Sequence, residues 1–208
     1  MSGSESLTYP ELLELRNTDP NAALTIDLAT IGQLGPGTKP GEGYRWQAVC
    51  YYASSGFREH AIRLARYGTF DSLTSDEATY FLCELAVLNL SAELNARFLN
   101  EAQVLIRSLA SEPHSEQNIA LLRISLAAFS AAPSADGKWS DLAEHITDLH
   151  YSSFQVFVLM YRLAESWGWL DYPAFYRSYL QRVSNGFSSL RHRGAFADSA
   201  IATIEMLI

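Results

Sequence analysis

Apolar residues recur along this chain at three- and four-residue spacing, which is the period of an amphipathic helix. The clearest case is Gly43 to Gly68. Tyr44, Ala48 and Tyr52, with Val49 beside them, form one stripe. Ser54-Ser55-Gly56 predicts its end, because a glycine just past the last turn accepts the left-handed conformation that closes a helix. Phe57, Ala61, Leu64 and Ala65 form a second stripe that ends at Gly68. Small residues at 48, 53, 61 and 65 allow close approach, so the stretch predicts an antiparallel helical hairpin.

The same reading extends in both directions. Thr8 with Glu11 is a capping-box pattern, and Asp19-Pro20 is an N-cap followed by a proline at the first helical position. Leu24, Leu28 and Ile31 follow as a stripe, and residues 35–43, rich in glycine and proline, are expected to be a linker. Thr74 with Glu77 opens a helix striped by Ala78, Phe81, Leu82, Leu85 and Leu88. Ser91 opens one with Leu94, Phe98, Ala102, Leu105 and Leu109 inward. Ile119, Leu122, Leu126 and Phe129 mark the next, and Leu142, Ile146 and Leu149 another. Residues 154–161 are apolar almost all round and are expected to be central; Gly168 ends that helix. Later stripes hold Phe175, Tyr179, Leu180 and Val183, then Phe196, Ala200, Ile201, Ile204 and Leu207. About eleven helices and no sheet are expected: an N-terminal helical pair over 1–34, the linker over 35–43, and a helical-hairpin domain over 44–208.

Ala48, Tyr52, Gly56 and Ala61 fall at spacings that resemble a tetratricopeptide repeat (TPR). Trp46 stands one residue off the usual tryptophan position, and the proline that closes the motif is missing. The resemblance covers about one hairpin and implies stacked antiparallel helix pairs with a groove for a partner segment, most often on the first helix of each pair. No strict period continues, so the expected architecture is all-α: a TPR-like array or a compact irregular helical domain.

Composition narrows the function classes. Of 208 residues, 48% are hydrophobic and 18% charged, which suits a packed core rather than disorder. The formal charge of −8 argues against a nucleic-acid partner. A helix-turn-helix over 47–66 meets a further obstacle in Tyr52, which stands where a small residue is needed. The chain opens without a secretory pattern and has no apolar run of membrane-spanning length, so no membrane partner and a cytoplasmic location are expected. Cys50 and Cys83 lie in apolar helical runs and read as reduced core thiols.

Catalytic motifs are missing: no nucleophile elbow, phosphate loop, dinucleotide fingerprint or H-E-x-x-H occurs. Asp141, His145 and Asp148 share one helical face and are candidate metal ligands. Mixed polar faces are routine on surface helices, so the expectation is no metal and no cofactor. Arginine outnumbers lysine thirteen to two. Arg45, Arg58, Arg63 and Arg66 give the first hairpin a local positive balance, and such residues pair with carboxylates through two parallel bonds. Aromatics gather from Trp167 to Tyr179, more than one buried stripe uses. The candidate partner-binding residues are therefore Arg45, Tyr51, Arg58, Arg63, Arg66, Trp167, Trp169, Tyr172 and Tyr176. The expected function is a non-enzymatic protein-interaction module, an adaptor, scaffold or immunity-type inhibitor, that holds another protein or an acidic peptide. The alternative is an enzyme or small-ligand binder with a core pocket or a metal at Asp141, His145 and Asp148.

Overall fold

The structure, a computed structural model, describes residues 7–130, 153–166, 168 and 179–185. Among the described residues every regular element is a helix. They are α1 (Tyr9–Thr18), α2 (Pro20–Leu34), α3 (Lys39–Ser54), α4 (Arg58–Ala65), α5 (Ser75–Leu88), α6 (Ala92–Leu109), α7 (Glu116–Ser130) and α8 (Phe154–Ser166). Residues 179–185 are also helical. The helices expected over 142–149 and from about 195 lie outside the described residues.

The caps explain the boundaries. The Thr8 amide and hydroxyl both donate to the Glu11 carboxylate at 2.7 Å. Asp19 closes α1 and caps α2, accepting from the Ala22 amide at 3.0 Å. The Thr74 amide and hydroxyl donate to Glu77 at 2.9 and 2.8 Å, and the Leu94 amide donates to the Ser91 hydroxyl at 3.2 Å. Gly56 has φ +85°; its amide reaches the Ala53 carbonyl, and the Phe57 amide reaches that of Tyr52. That pair of bonds is a Schellman closure, as the Ser-Ser-Gly signal predicts.

The expected linker over 35–43 is shorter in the structure. Helix α3 begins at Lys39, with Thr38 as N-cap, and Gly41 and Glu42 are buried within it. Gly41 is there for space. A Cβ at this position would stand 2.1 Å from the Gly35 carbonyl oxygen, so the chain before α3 lies directly against its first turn.

The contacts define two compact units, Met1–Phe81 with Leu90–Leu94, and Leu82–Asn89 with Asn95–Ile208. In the first, α1 packs on α2, α2 on α3 and α4, and α3 most closely on α4. Its core includes Leu24, Ile31, Trp46, Ala48, Val49, Tyr52, Ala61, Leu64 and Ala65, each at most 3% exposed. In the second, α7 packs on α8. Leu82, Leu85, Phe98, Ala102, Leu122, Ile124, Val156, Met160 and Leu163 are fully buried there.

Candidate functional site

One arginine expected to meet a partner, Arg45, is instead internal, while Arg63 and Arg66 are brought to one groove. Arg45 is 4% exposed. Its Nε donates to both oxygens of Glu42 at 3.3 and 3.1 Å, and Nη1 donates to the Leu64 carbonyl at 3.3 Å. Glu42 also accepts from the backbone amides of Gly37 and Thr69, each at 2.9 Å. One buried carboxylate thus ties the turn before α3 and the turn after α4 to α3, and Arg45 neutralises it. A charge buried this way must be paired, which is why Arg45 is a structural residue and not a docking one.

Tyr51 is also engaged within the fold. It is half-buried, and its hydroxyl donates to Asn17 Oδ1 at 3.1 Å while its ring faces Arg16. The first helix of the hairpin therefore turns its arginine and this tyrosine toward the fold. Arg58 is exposed, but its Nε donates to the Leu90 carbonyl at 2.8 Å and braces the chain between α5 and α6.

Arg63 of α4 and Arg66, its C-cap, are exposed. Three residues apart, they are neighbours on one helical face. They line an open groove of about 320 Å³ together with Glu59, His60 and Ile62 of α4 and Asn21 and Leu24 of α2. His60 is held in place. Its Nε2 lies 3.1 Å from Asn21 Oδ1, and its ring stacks on Tyr52 at 5.5 Å between centroids. The lining of the groove sets the apolar Leu24 and Ile62 among polar and charged side chains. Two guanidinium groups outweigh one carboxylate there, against a chain that is acidic as a whole. Tyr67, following Arg66, is 72% exposed.

The buried centre of the first unit is a polar cluster that sequence reasoning did not single out. Asp27 is fully buried. It accepts from Arg16 Nε at 3.1 Å and Nη2 at 2.6 Å, and from the hydroxyls of Tyr44 at 2.6 Å and Tyr52 at 2.8 Å. The Arg16 carbon Cζ lies 5.9, 5.1 and 5.7 Å from the ring centres of Tyr44, Tyr51 and Tyr52. Burial, then the hydrogen bond to Asp27, pushes the Tyr44 phenol up to about 12, and the same causes raise Tyr52. Both phenols are donors at any ordinary pH. A signal existed: Arg16 is four residues from Leu12, and Asp27 lies between Leu24 and Ile31 on their stripe. Opposite charges on the buried faces of adjacent helices predict a pair.

In the second unit, Glu84 accepts from Arg162, Nη1 to Oε1 and Nη2 to Oε2, in a two-pronged pair. Burial pushes the Cys83 thiol up to about 12, so the thiolate required of a nucleophile is disfavoured there. Among the described residues no group of three or more His, Cys, Asp or Glu side chains is placed to hold a metal ion. Nor is any helix among them long and apolar enough to cross a membrane. Trp167, Trp169, Tyr172, Tyr176, Asp141, His145 and Asp148 lie outside the described residues.

With the fold and the groove defined, the class this chain falls in is an all-α protein with an arginine-bearing surface groove. No family model, curated protein or solved structure matches it.

Proposed function

We propose that this chain is a non-enzymatic protein-interaction module that holds an acidic segment of a partner in the groove between α2 and α4. The observation that carries the reading is the sorting of the arginines in the first unit. Arg16 and Arg45 are buried against carboxylates, while Arg63 and Arg66 are exposed and line one groove three residues apart. A groove that sets Leu24 and Ile62 beside two neighbouring guanidinium groups suits a peptide that presents carboxylates beside a small apolar side chain. The α3–α4 pair is read as a TPR-like hairpin. Ala48, Tyr52 and Ala61 are all fully buried, and Gly56 closes the first helix. The groove lies on the second helix of that pair, unlike the usual TPR concave side, because the first helix buries Arg45 and Trp46.

The test is titration of a fluorescent oligoglutamate peptide containing leucine against wild type and Arg63→Glu/Arg66→Glu. Each arginine–carboxylate hydrogen bond lost costs about 1.5–3 kcal/mol when desolvated. The groove is open, so a total loss of about 1.4 kcal/mol, or tenfold in affinity, is the expected lower end. Circular dichroism should show the same helix content in both proteins. Equal affinity, or no binding to wild type, removes the groove from consideration.

A further inference from the structure

The Asp27 cluster divides unequally among the helices. Its receptor half comes from α2 and α3 alone: Asp27 from the first, Tyr44, Tyr51 and Tyr52 from the second. Tyr44 and Tyr52 each donate to a different oxygen of Asp27, so the carboxylate is oriented before any cation arrives. What remains is the edge of the carboxylate that meets a planar fork, flanked by three aromatic rings. Arg16 of α1 fills it, with Nε on Oδ2 and Nη2 on Oδ1. Apart from Arg16, the only buried side chain of α1 is Leu12. The attachments of α1 therefore include Leu12, Arg16 and the Tyr51 hydroxyl, which lies 3.1 Å from Asn17 Oδ1 and 3.4 Å from the Leu13 carbonyl, and a single residue, Asp19, links it to α2.

We propose that the pocket formed by Asp27, Tyr44, Tyr51 and Tyr52 is a guanidinium-binding site, with α1 as its tethered ligand, and that it accepts the arginine side chain of a peptide supplied in trans when Arg16 is absent. The chemistry selects guanidinium over ammonium. Two parallel N–H bonds to one carboxylate need a planar fork, and the flanking rings favour a flat, weakly hydrated cation. Tethering gives Arg16 a high effective concentration, so exchange is hidden in the wild-type chain. The site is distinct from the α2–α4 groove, and neither reading depends on the other.

Full-length Arg16→Ala lacks the atoms of ethylguanidinium, which is the probe. Its melting temperature should fall, and millimolar ethylguanidinium should restore it saturably while equal ethylammonium does not. Asp27→Asn added to Arg16→Ala should abolish the response. A labelled peptide of residues 7–19 should bind Arg16→Ala at least about tenfold more tightly than wild type, where the tether competes. Should Arg16→Ala be unfolded at rest, the same titration reads refolding by circular dichroism, with Arg16→Gln run in parallel. The proposal is overturned if neither variant responds to ethylguanidinium, or if ethylammonium acts equally, or if the peptide binds both proteins alike.

Discussion

Asp27 shows how much one side chain can carry. Four donors converge on its two oxygens, and removing its charge leaves Arg16 buried and uncompensated. Asp27→Asn should therefore destabilise the fold by about 3–5 kcal/mol, the range for breaking one side of a buried ion pair. Urea denaturation measures it, and a loss under 1 kcal/mol would mean that water reaches the cluster. The glycines of the hairpin make a contrasting pair. A Cβ on Gly56 meets nothing within 4 Å, so the cost of Gly56→Ala is that of positive φ alone, about 1 kcal/mol. A Cβ on Gly68 stands 2.6 Å from Trp46 and 2.8 Å from Arg45 Cδ. That indole cannot yield easily, since it stacks on Phe70 at 4.5 Å and donates to the Thr69 carbonyl at 3.0 Å. Overpacking of this kind costs about 1–3 kcal/mol, so Gly68→Ala should match or exceed Gly56→Ala in the same denaturation series.

At the scale of the element, the start of α5 couples a cap to pH. The Thr74 amide and hydroxyl, then Lys39 at 3.1 Å, draw the Glu77 carboxyl down to about 2 from its ordinary 4.5. A depressed folded-state value means that the stabilisation is complete above the unfolded value and fades as pH falls toward the folded one. The gap in melting temperature between wild type and Glu77→Ala should be full at pH 7 and shrink between pH 4.5 and pH 2. A gap that stays constant across that window would show that the carboxylate charge contributes nothing to the cap. The pair is exposed, so added salt should narrow the Lys39 part of the effect.

For the whole molecule, the described residues are held by apolar helix faces and by ion pairs, buried in the first unit and partly exposed in the second. Arg16–Asp27 and Arg45–Glu42 support the first unit, and Arg162–Glu84 the second. Neither the caps nor the cores described call on a metal. Helical circular dichroism and the melting temperature should accordingly be unchanged by a chelator. A loss of helix on chelation would return attention to Asp141, His145 and Asp148.

The helices of the described residues could be read from the chain because caps and periodicity are local. Asp19, Thr74 and Ser91 accept from amides three residues on, Thr8 donates to the Glu11 carboxylate at the same spacing, and Gly56 closes a helix by its own φ. The stripes were legible in outline and displaced in detail. In α7 the buried set is Ala120, Leu121, Leu122, Ile124, Ser125, Ala128 and Phe129, while the expected Ile119 and Leu126 are half-buried. How wide a face is covered depends on the neighbours that cover it. Function divides the same way. Arginine content and local positive balance pointed to the hairpin, yet Arg45, Arg58, Arg63 and Arg66 look alike in sequence. Only packing separates them: Arg45 meets Glu42 and the end of α4, Arg58 meets the Leu90 carbonyl, and Arg63 and Arg66 reach the α2–α4 groove. Arg45 finds its carboxylate three residues away, but the burial of that pair and the exposure of Arg63 and Arg66 depend on contacts between residues far apart in the chain, such as those to the Leu64 carbonyl and the Thr69 amide, and spacing along one helix does not encode them.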